Sequence, residues 1–192
     1  MHPQRIALKL FVAPDPSAPV DLAPFTPLFH EFIQKSSVPG LLIDVADYAH
    51  VPNGPGIVLI GHDVDYGLDA VGGHAGLLTV RKRYGRAALA DVLPDALAKA
   101  IACAKAIEAD GRTGLRFALD AVELQLLDRL VAPNDDDAFA AAKAASTPVF
   151  EALFGACAIE RRGADDARKP LALVARAERA ATADELLARL AR

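Results

Sequence analysis

The sequence predicts an α+β fold: a mixed, mainly antiparallel sheet with helices packed on one side. Three observations predict it. Short apolar runs with period-two alternation, such as RIALKLFV at 5–12, recur along the chain. Segments with helical spacing and helix-end signals lie between them. Runs at 57–66 and 74–84, and again at 115–119 and 122–130, are close enough in sequence to read as antiparallel hairpins.

The elements follow in order. Ile6, Leu8, Leu10 and Val12 alternate with Arg5 and Lys9, as in a half-buried strand. Prolines at 14, 16, 19 and 24 make the next segment a loop. FTPLFHEFIQK (25–35) is a helix with Thr26 as cap, Pro27 in its first turn and Leu28, Phe29, Phe32 and Ile33 as its apolar face. His30 falls on the flank and is expected to be exposed. Leu41 to Ala46 is apolar on both faces, which predicts a central strand. VPNGPG (51–56) is a turn, and GLDAVGG (67–73) turns the chain between the first hairpin's strands. A long helix spans 86–109, kinked or divided at Pro94. The second hairpin turns at Asp120-Ala121. Asn134 caps the following helix, with Asp135, Asp136 and Asp137 at the positive end of its dipole. Pro148 interrupts that helix and Gly155 closes it. Strands follow at 156–162 and 170–177. Thr182 and Glu185 form a capping box at the start of the last helix.

The chain of 192 residues reads as one compact domain. FTPLFHEFI (25–33) echoes STPVFEALF (146–154), each between a strand and a pair of strands. The echo suggests two related β-α-β-β lobes, 1–84 and 112–192, joined by the helix 86–109. A net charge of −4 gives no reason to seek nucleic acid or an anionic membrane. Arg81-Lys82-Arg83 is too short for a nucleic-acid footprint. Cys103 and Cys157 lack metal or disulfide spacing and read as reduced core thiols. No run is long enough to span a membrane and the start lacks a secretory pattern, so a soluble cytoplasmic protein is expected.

The sequence contains no phosphate loop, dinucleotide fingerprint, zinc signature or nucleophile elbow. Its polar interest lies in GPGIVLIGHDVDYGLD (54–69) and its neighbours. Extending 57–66 as one strand puts His62 with Tyr66 on one face, and Asp63 with Asp65 on the other. Gly61 is a candidate bulge. Asp44 sits between Ile43 and Val45 and needs a partner or neutrality. His50 ends the preceding strand, and His74 begins the returning one, where it can meet His62 or Tyr66. The candidate ligand-binding residues are therefore Asp44, His50, His62, Asp63, Asp65, Tyr66 and His74. No metal ligands and no cofactor are assigned.

The residues FxPLFHxFIQ, LLIDVADYxHVPxGPGIxLIGHDxDYxLD, GLLxxRK, ELQL, APN and PVFxALFG resemble a family of uncharacterised bacterial proteins of about this length. The resemblance covers most of the chain and is densest from Leu41 to Asp69. It implies a complete chain and carries no activity onto any position. Two functional classes remain. A non-catalytic small-ligand-binding or assembly module, with a small molecule or protein as partner, leads because no recognised catalytic constellation is present. The alternative is a small hydrolase-like enzyme using His62, Asp63, Asp65 or His74, with or without a divalent metal to activate water. A homodimer is expected, since small α+β lobes often complete a sheet across a two-fold axis.

Overall fold

The computed structural model describes residues 1–13, 20–51, 54–69 and 74–191. The expected turns at 51–56 and 67–73, and the proline loop, lie partly outside them. Among the described residues, eight strands form one sheet: β1 (Ile6–Phe11), β2 (Leu42–Tyr48), β3 (Gly56–Gly61), β4 (Val64–Asp69), β5 (Gly76–Arg81), β6 (Ala121–Leu126), β7 (Cys157–Arg162) and β8 (Leu171–Ala177). Four helices accompany them: α1 (Phe25–Lys35), α2 (Leu89–Asp110), α3 (Asp136–Phe154) and α4 (Ala183–Leu190). The strand order is β2-β3-β4-β5-β1-β6-β8-β7, and every adjacent pair is antiparallel. This is the α+β architecture that the alternation and helix spacing predict.

The helices occupy one side. α2 packs on β1 and β5, α1 on β2 and β3, and α3 on β7 and β8, while α4 lies against α2 and α3. Strand alternation sends Leu8, Leu59, Tyr66, Leu124 and Leu173 into this layer, all fully buried. They meet Phe25, Phe29, Leu93, Leu97 and Phe150 from the helices in one continuous core. Set aside the β4–β5 hairpin, and β1-α1-β2-β3 and β6-α3-β7-β8 share one order. In each, the third strand lies nearer the β1–β6 seam than the second.

Several local expectations change. Helix α1 starts after Pro24 without a side-chain cap, so Thr26 lies inside it. Strand β2 is an edge, not a centre, and leaves Leu41 and Ile43 68% and 57% exposed. Its apolar composition reflects one half-buried face plus an uncovered margin, which alternation alone cannot separate. Residues 57–66 are not one strand: β3 ends at Gly61, His62 and Asp63 make a two-residue connection, and β4 starts at Val64. The segment 115–119 contributes only a Phe117 bridge to Val12, and β6 pairs with β1 and β8 instead. Pro94 and Pro148 are both absorbed within continuous helices. Near Pro148, the Ser146 and Thr147 hydroxyls donate to the carbonyls of Ala142 and Lys143. Asp135, not Asn134, caps α3 by accepting from the Ala138 amide. Asn134 instead donates to the Gly163 and Asp166 carbonyls, closing the β7–β8 connection. The capping box of α4 forms as its sequence predicts.

One core atom lacks a partner among the described residues: the Thr79 hydroxyl, in a residue with no exposure. Burying a hydroxyl unpaired costs free energy that a methyl of the same shape avoids. Thr79→Val is expected to raise stability by about 1 kcal/mol in urea unfolding; a loss of stability would reveal a bond to Thr79.

The core also carries acids that ionise only at high pH. Burial pushes the thiol of Cys103, a fully buried residue, well up. Burial, then the neighbouring Cys103, Asp63 and Asp95, does the same to the Tyr66 phenol, and burial raises Tyr84 to about 12. The unfolded chain ionises at roughly 8.5 for a thiol and 10 for a phenol. Folded values above unfolded ones mean that stability is complete below about pH 8.5 and falls as pH rises through and beyond 10. Urea midpoints measured from pH 7 to 11 should trace that fall. Cys103→Ala should flatten its first part.

Candidate ligand site on the open sheet face

Helices cover one face of the sheet, and two rows of side chains run across the other. One row reads Val58, Gly67, Leu78, Lys9, Glu123 and Val174 on β3, β4, β5, β1, β6 and β8. The next reads Ile60, Asp65, Val80, Ala7, Gln125 and Ala172 on the same strands, with Arg162 opposite Ala172 on β7. The face is thus mostly apolar over β3–β5, where Asp65 is the charged member of these two rows, and carries Lys9, Glu123 and Arg162 from β1 to β7.

The charged half is built. Lys9 is 3% exposed and Glu123 5%, although no helix lies over them. The Lys9 ammonium donates to Asp69 at 2.7 Å. Its stem crosses Gly76, where an added Cβ would sit 2.8 Å from the Lys9 Cγ and 2.6 Å from the Leu10 carbonyl oxygen. Glycine at 76 therefore lets the lysine reach across the strand to Asp69. Glu123 accepts from Arg162 at 2.7 Å and from the Gln125 amide at 2.6 Å. The Arg162 guanidinium lies 5.8 Å from the centre of the Phe11 ring, so it is held by a carboxylate and an aromatic face together.

A cleft of about 620 Å³ lies over this network, walled by Lys9, Asp69, Glu123, Arg162 and Lys169, with Leu78 and Ala172 in its floor. A second, of about 420 Å³, lies over Val58, Ile60, Gly67, Leu78 and Val80, with Arg5, Tyr48 and Lys82 at its rim. Pro55 and Leu78 belong to both. Gly67 leaves the middle of the second cleft without a side chain. An added Cβ there would meet its nearest atoms at 3.4 Å, an ordinary contact.

The seven residues singled out in the sequence do not form one site. His62 and Asp63 occupy the β3–β4 turn. The His62 Nδ1 is 3.1 Å from the Arg83 guanidinium, and Asp63 pairs with Arg81 at 3.1 Å. Asp65 accepts from Lys82 at 2.7 Å and from the Gly61 amide at 3.1 Å. Tyr66 lies on the helix side, where its hydroxyl donates to the Pro39 carbonyl at 2.7 Å, so it does not converge with His62. His74 is at the other end of the hairpin, edge-on to Phe11 with ring centres 6.4 Å apart. Asp44 is exposed on the edge strand and accepts from the Val45 amide at 2.8 Å. His50 is exposed in the turn after β2. The tight turn at 62–63 separates the group: it reverses the chain where a continuous strand was expected, β4 carries Asp69 to the far end, and His74 stands there just before β5. Asp65 and Tyr66 border the smaller cleft. Among the described residues, no group of three or more histidine, cysteine or acidic side chains could hold a metal ion.

Sequence reasoning missed Lys9, Asp69, Glu123 and Arg162 as partners. The available signal was charge in the middle of strands at Lys9 and Glu123, which alternation reads as a solvated face. Among the described residues, no helix is long and apolar enough to cross a membrane. No protein-family model matches the chain, and no curated protein matches it.

Proposed function

We propose that the protein is a non-catalytic small-ligand-binding module whose binding surface is the open face of its sheet. One observation carries this reading: Lys9 and Glu123 are almost fully buried on a face that no helix covers, in the wall of a cleft of about 620 Å³. Burying ions is costly, and a fully paired network is weak support for stability alone. Its place beside an apolar hollow supports a preorganised polar anchor for a small molecule. The separation of His62, Asp63, Asp65 and His74 leaves the hydrolase-like alternative without a shared acid-base pair.

A second reading, assembly into a homodimer, is favoured by the β2 edge. Leu41, Ile43, Tyr48 and Val51 are exposed there, and an edge strand offers unpaired main-chain groups. One screen separates the two surfaces. Fragments of mixed charge are tested by ligand-observed NMR against the wild type, Leu78→Glu and Ile43→Glu. The expected result is a set of hits lost in Leu78→Glu and kept in Ile43→Glu. No hits, or hits lost only in Ile43→Glu, would overturn the binding reading.

A further inference from the structure

The charge balance of the open face says which ligand the hollow suits. This inference rests on the ligand-binding reading. The two joined clefts are walled by three carboxylates, Asp65, Asp69 and Glu123. Each is already paired, with Lys82, Lys9 and Arg162 respectively, at 2.7 Å. Two further cations complete the walls, Arg5 in the smaller cleft and Lys169 in the larger. Neither makes a salt bridge among the described residues. The walls of the two clefts therefore have a surplus of two positive charges on a chain whose net charge is −4. Composition across the whole chain would have suggested the opposite sign.

The apolar side has a matching shape. Val58, Ile60, Leu78 and Val80 are half-buried around Gly67, so the missing side chain leaves a trough between two apolar strands. Arg5 precedes β1 on the same face as Ala7 and Lys9 and borders this trough. We infer that the trough takes a small free organic acid, its apolar tail over Gly67 and its carboxylate at Arg5. Tail burial supplies the affinity, and the surplus charge selects the head group.

Three ligands with one tail test this: octanoate, octanol and octylamine, titrated by calorimetry and by amide chemical shifts at neutral pH. The expected order is octanoate tightest, with octylamine weaker by about tenfold or more. Shifts should fall on β3, β4 and β5. Arg5→Glu replaces an exposed side chain and should reverse the order of octanoate and octylamine. Gly67→Val should fill the trough and abolish binding of all three without lowering the thermal midpoint. Should that variant lose cooperative unfolding, Val58→Trp fills the same space from the neighbouring strand. Octylamine or octanol binding the trough as well as octanoate would overturn the inference and leave the ligand-binding reading standing. So would an order unchanged by Arg5→Glu. If none of the three shifts an open-face amide, the inference falls, and the mixed fragment screen decides the broader reading separately.

Discussion

Gly61→Ala is expected to destabilise the protein by about 3 kcal/mol, the upper range for forcing atoms into filled space. A Cβ at this position would lie 2.3 Å from the Val64 carbonyl oxygen and 3.3 Å from that of Leu41. Both contacts are main chain, so no side chain can rotate away. Relief requires the β3–β4 turn to open, and that turn is where the Asp65 carboxylate holds the Gly61 amide and where the His62 amide donates to Leu41. The chain would lose the hairpin that sets the register of β3 and β4. In a domain of this size the thermal midpoint should fall by roughly 10 °C. Gly67→Ala is the control: its nearest atoms are at 3.4 Å, and it should change stability by less than about 0.5 kcal/mol. Equal effects of the two alanines would refute the assignment of a crowded turn.

Arg162→Leu is expected to cost about 3 kcal/mol, the low end for breaking a buried ion pair, because Arg162 is itself partly exposed. The Glu123 carboxylate, 6% exposed in its side chain, would keep only the Gln125 amide as a neutral donor. Removing both charges in Glu123→Leu/Arg162→Leu should recover most of the loss, since the desolvated carboxylate goes with its partner. Urea unfolding of the wild type, the two single variants and the double variant gives the coupling energy. A double variant as unstable as the sum of the singles would mean that Glu123 and Arg162 do not act as a pair. The cycle also separates stability from recognition. A double variant that folds well should still lose ligands that use the charged half of the face.

The sequence made most of the elements readable because their signals are local. Alternation marked β1, a capping box marked α4, and the Phe-rich stripe marked α1. Its errors share one cause: several outcomes are settled by contacts between distant residues. Leu41 to Ala46 is apolar enough for a central strand, and only the sheet order makes it an edge. His62 and Asp63 satisfy strand alternation, yet the Gly61 contact and the Asp65 carboxylate turn the chain there. The open face was harder still. Lys9, Asp69, Glu123 and Arg162 are scattered from 9 to 162 and come together through pairings of β5 with β4 and β1, of β1 with β6, and of β8 with β6 and β7. Nothing in their spacing announces that. The histidines that stood out in sequence did so by proximity along the chain, and the hairpin distributes them to opposite ends of the sheet.

Amide chemical-shift mapping of the wild-type protein with its strongest fragment hit tests the central claim most directly. Shifts are expected to concentrate on residues of the open face: Lys9, Gly67, Leu78, Val80 and Glu123. Amides of α2 and α3 on the far side should stay still. Shifts confined to the β2 edge and the turns around His50 and His62 would contradict it, placing recognition where the sequence alone had pointed.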